Sequence, residues 1–221
     1  MAISKADFNN INITPTASKA IKWNASANGF EAGALGGSMT LLATQTASGS
    51  ATLSFTSGID STYKKYVFKF TDIHPAAISY FSVNFSDDGG SNYDLAKTSS
   101  SFIAYHDEAD SATRLTYRTG YDLGQGTGVQ PLGGDTMGVT NDNCGAGHLD
   151  LYDPSSTTFV KHFISRFSPN YNASDGSTPY AHDGFTAGYI NTTAAVTAVQ
   201  FAMSTGNIDV GTIKMYGIKD S

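Results

Sequence analysis

The sequence has little of what long helices require. Glutamate occurs only twice and leucine ten times in 221 residues, although both residues rank among the better helix formers. Only 14% of the residues are charged, and the acidic residues are almost entirely aspartate, with seventeen Asp against two Glu. This composition excludes a helical bundle.

Three further absences narrow the function classes. The single cysteine, Cys144, allows neither an internal disulfide nor a metal site built from cysteine pairs. No run of about 18 apolar residues predicts a membrane span, and residues 1–23 lack the apolar stretch of a secretory signal. The net charge of −6, with no basic cluster beyond Lys64 and Lys65, argues against nucleic acid as the main partner.

What the chain does contain is typical of an all-β protein. Serine, threonine and glycine number 25, 25 and 23, and aromatic residues reach 12%. The aromatic residues suit pleated surfaces, whereas Gly, Ser, Asp and Asn favour turns. We therefore predict an antiparallel β-sandwich, jelly-roll-like, of about ten strands over residues 39–221. The predicted strands are 39–46, 51–57, 63–73, 80–86, 101–105, 115–118, 146–152, 158–167, 185–190, 196–204 and 211–218.

Two details of this prediction concern connections and faces. The first two strands flank a polar turn at residues 47–50, which predicts a hairpin. In the third strand Tyr66, Phe68 and Phe70 alternate with charged and β-branched residues, which predicts one buried face. Residues 120–147 are Gly-rich and weakly apolar, and we expect them to form a long exposed loop, a kind of segment that is often functional.

The first 38 residues differ from the rest, because they are polar with scattered apolar residues and show no sustained period. Residues 29–37 predict a flexible connector, so the segment is expected to be an irregular N-terminal arm. The arm either folds over its own domain or docks onto another subunit. We favour docking, since its scattered apolar residues cannot form a core alone. The candidate partner-binding residues are Phe8, Ile11, Ile13, Ile21, Trp23 and Phe30.

Motifs for catalysis are weak. The chain contains neither a Gly-x-Ser-x-Gly nucleophile elbow nor a phosphate-binding Gly-rich loop. Paired carboxylates could serve glycoside hydrolysis, but among seventeen aspartates some pair will be suitably spaced by chance. We therefore predict no enzyme activity, no catalytic residues and no cofactor. Asp87, Asp88 and Asp94 leave one alternative open, a divalent-ion site in place of a plain hairpin turn.

Tyrosines beside the predicted loops are the main candidates for surface contact, because tyrosine is amphipathic and loses little entropy when immobilised. The alternative is that they cap the ends of the sandwich. The candidate contact residues are Tyr117, Tyr121, Tyr171 and Tyr180.

Six segments taken in series resemble a known group of proteins. They are MTLLATQTAS (39–48), LSFTSGIDSTY (53–63), YVFKFTDIHP (66–75), YHDEADSA (105–112), LYDPSSTTF (151–159) and STGNIDVGTIKMYGI (204–218). The pattern resembles small β-rich virion structural or tail-fibre-type proteins of marine tailed bacteriophages. The resemblance extends from about residue 39 to residue 219.

The resemblance implies a non-enzymatic particle component that is assembled in the host cytoplasm and resides in the virion. The form we expect is a short tail fibre or tail-attached protein, with an outward β-domain for host-surface contact and an arm bound to other virion proteins. The alternatives are a capsid decoration protein and a carbohydrate-binding module. By analogy we expect a homo-oligomer, with a trimer favoured, and a host-surface glycan as a candidate further partner.

Overall fold

The computed structural model of the protein describes residues 19–23, 26, 30–34, 38–171 and 178–219. The chain divides into two units, Met1–Ser38 and Met39–Ser221. Within the described ranges, no helix is long and apolar enough to cross a membrane.

The second unit contains two antiparallel sheets. The larger, eight-stranded sheet has the strand order β3-β14-β5-β10-β11-β12-β7-β8, where the strands are β3 (Met39–Ser50), β5 (Lys65–Pro75), β7 (Lys97–Asp107), β8 (Thr113–Tyr117), β10 (Gly145–Tyr152), β11 (Lys161–Tyr171), β12 (Tyr180–Ile190) and β14 (Ile208–Ile218). The smaller sheet has the order β4-β13-β6-β9, where the strands are β4 (Thr52–Phe55), β6 (Phe81–Ser86), β9 (Gln130–Pro131) and β13 (Ala198–Met203). The predicted all-β, antiparallel fold is confirmed, and the jelly-roll connectivity stays a prediction.

The core lies between the two sheets and is rich in phenylalanine. Phe68 and Phe70 of β5 are buried and meet the smaller sheet, with ring centroids 5.4 Å from Phe68 to Phe201 and 5.2 Å from Phe70 to Phe81. The predicted inward face of β5 is confirmed, since Tyr66 is buried with them, whereas Val67 on the opposite face is buried as well. Burial of each such side chain contributes roughly 1.5–3 kcal/mol, so the aromatic alternation fixes which face of each sheet points inward.

The predicted hairpin between the first two strands is wrong. β3 continues through the expected turn to Ser50 and pairs with β14, whereas β4 pairs with β13 in the other sheet. Ala51, the one residue between them, therefore carries the chain from one layer to the other. The sequence pattern shows a turn at this point but does not say which partner each strand will choose.

The prediction of one long exposed loop at residues 120–147 is wrong for the middle of the segment, although residues 124–125, 127–129 and 139–142 are exposed. Its middle forms β9, which pairs with β6, and both Leu132 and Met137 are fully buried in the core. At Gly133 this segment lies against β12 so closely that a Cβ added at Gly184 would lie 2.3 Å from the Gly133 carbonyl oxygen. Two small residues thus allow backbone to rest on backbone, and the segment covers the sandwich instead of projecting from it.

The outer side of β6 is buried as well, although its serine and asparagine residues predict exposure. Lys97 is completely buried beside it, and its Nζ donates hydrogen bonds to Asn84 Oδ1 at 2.6 Å and to the Leu95 carbonyl at 2.7 Å. Burial lowers the pKa of Lys97 to about 8, because desolvation penalises the charged ammonium. The polar residues of β6 therefore belong to an enclosed hydrogen-bonded layer.

The first unit contains a two-stranded antiparallel sheet formed by β1 (Lys19–Trp23) and β2 (Phe30–Ala34). The expected irregular arm with a flexible connector at residues 29–37 is therefore corrected, since β2 lies inside that connector. Trp23 pairs with Phe30 in register, and their rings stack with centroids 4.4 Å apart. Aromatic cross-strand pairs of this kind stabilise a two-stranded ribbon. The sequence of this segment shows no simple apolar period that predicts the ribbon.

Candidate functional site

One row of side chains crosses the face of the eight-stranded sheet that points away from the core. Register pairs link seven strands in sequence, from β8 through β7, β12, β11, β10 and β5 to β14. We call these side chains the outward row: Tyr117, Phe102, Phe185, Arg166, His148, Lys69 and Lys214. With adjacent strands about 4.8 Å apart, the row spans roughly 29 Å. Aromatic residues occupy one end and cationic residues the other.

The aromatic end exposes large apolar surface. Tyr117 is 50% exposed and Phe102 is 40% exposed. Phe102 stacks on Phe185, with ring centroids 4.9 Å apart and planes 9° from parallel. The Tyr117 hydroxyl donates to Asp122 Oδ2 at 2.7 Å, and this hydrogen bond raises the pKa of Tyr117. The stack extends the apolar surface across the edge of the sheet.

Arg166 joins the aromatic end to the cationic end. Its guanidinium carbon lies 5.1 Å from the Phe185 ring centroid, and its Nε donates to both oxygens of Asp183 at 2.9 and 3.0 Å. Its Nη2 also donates to Asp183, and this carboxylate raises the pKa of Arg166. Stacking and bidentate pairing together hold the guanidinium in one orientation.

Beside the row lies a shallow, open groove of about 610 Å³. Its floor contains small residues from four strands, whereas its walls carry polar side chains. Arg166, Asp183 and His148 form the wall on the side of the row, and His106 lies on the opposite side. The floor residues are Ala104, Ala146, Gly147, Ser168 and Ala181. The groove therefore offers both donors and acceptors over a flat base, a chemistry suited to a polar ligand with many hydroxyl groups.

A polar cluster lies on the inner side of the same sheet. Asp135 Oδ2 accepts hydrogen bonds from Arg118 Nη2 and from the Tyr180 hydroxyl, each at 2.9 Å. Burial and the Asp135 carboxylate strongly raise the pKa of Tyr180. His182 is 2% exposed, and desolvation lowers the pKa of His182 to about 4. The hydrogen bonds of Arg118 and Tyr180 to Asp135, and of Arg118 Nε to the Gly134 carbonyl, hold this part of the 130–138 segment on the sheet.

The four predicted contact tyrosines are not brought together. Tyr117 belongs to the outward row, whereas Tyr171 and Tyr180 stack with ring centroids 4.7 Å apart beside the inner cluster. Tyr121 is half-buried, with the Arg118 guanidinium 5.0 Å from its ring centroid and Tyr80 edge-on at 5.5 Å. Burial raises the pKa of Tyr121. Tyr121, Tyr171 and Tyr180 therefore have ring partners, and a surface-contact role for the four tyrosines stays a prediction.

The predicted arm residues divide between described and undescribed parts of the chain. Phe8, Ile11 and Ile13 lie outside the described residues. Trp23 is 61% exposed, and Ile21 and Phe30 are exposed with it. The register of β1 and β2 places these three side chains on one face of the ribbon. The hairpin thus presents an apolar face.

The candidate ion site at the Asp87–Asp94 turn has a self-contained hydrogen-bond pattern. Asp88 accepts from Ser86 Oγ at 2.6 Å and from the backbone and side-chain nitrogens of Asn92 at 3.0 and 2.7 Å. These bonds lower the pKa of Asp88 to about 2. Within the described ranges, no group of three or more His, Cys, Asp or Glu residues could hold a metal ion. The turn chemistry accounts for Asp88, and the ion site stays a prediction.

Most of the outward row was missed by sequence reasoning. Alternation places Lys69 on the face of β5 opposite its buried aromatics, and Arg166 likewise on β11. What the sequence does not contain is the order of the strands, so nothing aligns Lys69 with Lys214 or Phe102 with Phe185 before the sheet is known. The alternation within each strand could have predicted that each of these side chains points outward. It could not have predicted that they align in one row.

The fold and this face together define an all-β, two-layer domain with an exposed aromatic and cationic surface. Comparison with family models, with curated proteins and with solved structures finds no match to the chain.

Proposed function

We propose that the protein is a non-enzymatic structural component of a tailed bacteriophage particle, in the form of a short tail fibre or tail-attached protein. Its β-sandwich is directed outward for host-surface contact, and residues 1–38 attach it to other virion proteins. The observation that carries the proposal is the outward row, since it gives the sandwich one broad face fitted for contact. The sequence resemblance over residues 39–219 supports the same role.

The composition of the outward row supports contact rather than mere solvation. Aromatic and arginine side chains are enriched in binding surfaces and dominate their energetics. Here Phe102, Phe185 and Arg166 stack in series on an exposed face. A sheet presents these groups on a rigid base, so little conformational entropy is lost when they bind a partner.

The hairpin of the first unit supports attachment. Ile21, Trp23 and Phe30 expose apolar surface on one side of a two-stranded ribbon. A ribbon of two strands has only marginal stability by itself, and it gains stability when its apolar face is buried against a partner. The partner that we propose is a neighbouring virion protein.

A closed homo-oligomer, with a trimer favoured, is part of the proposal by analogy with fibre-type particle proteins. Analytical ultracentrifugation of the purified full-length chain tests this part. A trimer is the expected species, and a monomer at micromolar concentration contradicts it.

A carbohydrate-binding module is the second candidate function, and the groove beside Arg166 and Asp183 is the observation that favours it. A carbohydrate-binding module could act without being part of a phage particle. Incubation with host polysaccharide separates binding from catalysis, because release of oligosaccharides overturns the non-enzymatic assignment.

Labelling of intact particles tests the proposed function. Gold-conjugated antibodies against the protein are expected to label the tail in electron micrographs. Labelling of the shell supports capsid decoration instead, and absence of the chain from purified particles overturns the proposal.

The same particles test attachment through the hairpin. Trp23→Ser combined with Phe30→Ser is expected to lower the copy number per particle at least fivefold. Ile78→Ser removes an exposed apolar side chain elsewhere and serves as the matched control. Equal incorporation of both variants contradicts attachment through this face.

A further inference from the structure

The cationic end of the outward row places like charges directly opposite each other. Lys69 and Lys214 are register partners on neighbouring strands, and both are exposed. Like charges in this arrangement destabilise a sheet. Neither lysine forms a salt bridge with any residue of the described ranges, and the Tyr216 ring, 5.7 Å from Lys69 Nζ, offers only partial compensation. An anionic ligand bridging the two ammonium groups would remove the repulsion.

This charge stands out against the rest of the molecule. The chain as a whole carries a net charge of −6, yet three of its thirteen Lys and Arg residues lie in one row. Asp183 neutralises Arg166, so the uncompensated charge is concentrated at the lysine pair. The face therefore attracts anions locally although the protein repels them on average.

The groove next to this charge supplies the complementary polar chemistry. Asp183 accepts, and Arg166 retains N–H donors beyond those used by Asp183, because a guanidinium has five. The stacking of Arg166 on Phe185 and its bidentate pairing fix these donors before any ligand arrives. Sugar hydroxyl groups are donors and acceptors at once and match such a wall.

We infer that the groove and the lysine pair together bind an acidic polysaccharide. The groove holds the hydroxyl-bearing rings, and Lys69 and Lys214 contact the carboxylate, sulfate or phosphate groups of the same chain. The groove and the lysine pair together extend from β7 to β14, five strand spacings or roughly 24 Å at about 4.8 Å each, and this length suits an extended polymer rather than one small molecule. This inference rests on the proposed host-surface contact and names its ligand.

Binding of purified full-length protein to defined polymers tests the inference. The probes are alginate, which carries carboxylates, chondroitin sulfate, which adds sulfates, uncharged dextran, and single-stranded DNA. Affinity electrophoresis and calorimetry are expected to show binding to the acidic polysaccharides at least tenfold tighter than to dextran or DNA. Raising the salt from 50 to 500 mM is expected to weaken it at least tenfold, because screening shortens the reach of exposed charges.

Variants assign the binding to this face. Lys69→Gln with Lys214→Gln is expected to weaken acidic-polysaccharide binding at least tenfold. The matched control, Lys64→Gln with Arg114→Gln, removes two exposed cations outside the row and is expected to bind like wild type. Circular dichroism checks that both variants fold.

Each result bears on either the inference or the proposed function. Equal binding of dextran, equal binding of DNA, or unchanged binding by the lysine variant overturns the inference, and the chain can still act at the host surface. Tight, lysine-dependent binding of alginate by a chain that is absent from purified particles upholds the inference and overturns the particle role.

Discussion

His182 lies on the inner side of β12 as a buried, uncharged imidazole beneath the groove. Its folded-state pKa of about 4 lies below the ordinary value near 6.5. The unfolded chain therefore binds more protons than the folded chain between these values. The stability that this residue contributes is complete above pH 6.5 and is lost as the pH falls toward 4.

We predict that His182→Phe flattens this pH dependence. Between pH 7.5 and 4.5 the free energy of unfolding of the wild type should fall by about 2 kcal/mol more than that of the variant. Urea unfolding at several pH values measures the difference. His162→Gln, at an exposed histidine, should retain the wild-type slope, and a His182→Phe slope equal to that of wild type contradicts the assignment.

Among the strands, β14 has the most consequential position. It is the last strand in the chain, yet it lies inside the eight-stranded sheet between β3 and β5, and it buries Ile208, Ile213 and Met215 completely. At roughly 1.5–3 kcal/mol for each buried side chain, its loss approaches the whole stability of a typical domain, about 5–15 kcal/mol.

We therefore predict that a chain ending at Asn207 shows no cooperative unfolding transition. A chain of residues 39–221, which retains the whole core, should unfold cooperatively and is the control. Thermal melts followed by near-ultraviolet circular dichroism distinguish the two. A cooperative melt of the chain ending at Asn207 contradicts this account of the sheet.

For individual strands, the sequence predicts the buried face but not the neighbouring strand. Alternation of Tyr66, Phe68 and Phe70 identifies the buried face of β5 because a two-residue period is a local property. The partner of β3 is not local, since β14 begins more than 150 residues later. The same reason hides the outward row, whose members come from seven strands and meet only when the strand order is set.

The prediction that the middle of segment 120–147 is exposed was wrong for a different physical reason. Its glycines predict a loop, and only the tertiary structure shows that Gly133 and Gly184 allow close backbone contact. Glycine signals flexibility and tight packing equally well, so composition alone could not separate an exposed loop from a buried cover. Leu132 and Met137 were the apolar anchors available in the sequence.

At the scale of the whole molecule, an acidic two-layer protein presents one face with exposed aromatic rings and a pair of opposed lysines. We propose that this face contacts the host surface. If so, free protein should occupy the same surface sites that the particle uses.

Adsorption competition measures whether the protein and the particle share these sites. Host cells are incubated with purified full-length protein before particles are added, and the adsorption rate constant is measured. The account predicts that wild-type protein lowers the rate at least fivefold at saturation, and that the Lys69→Gln, Lys214→Gln variant does not. An unchanged rate with saturating wild-type protein, or equal inhibition by both proteins, would contradict it.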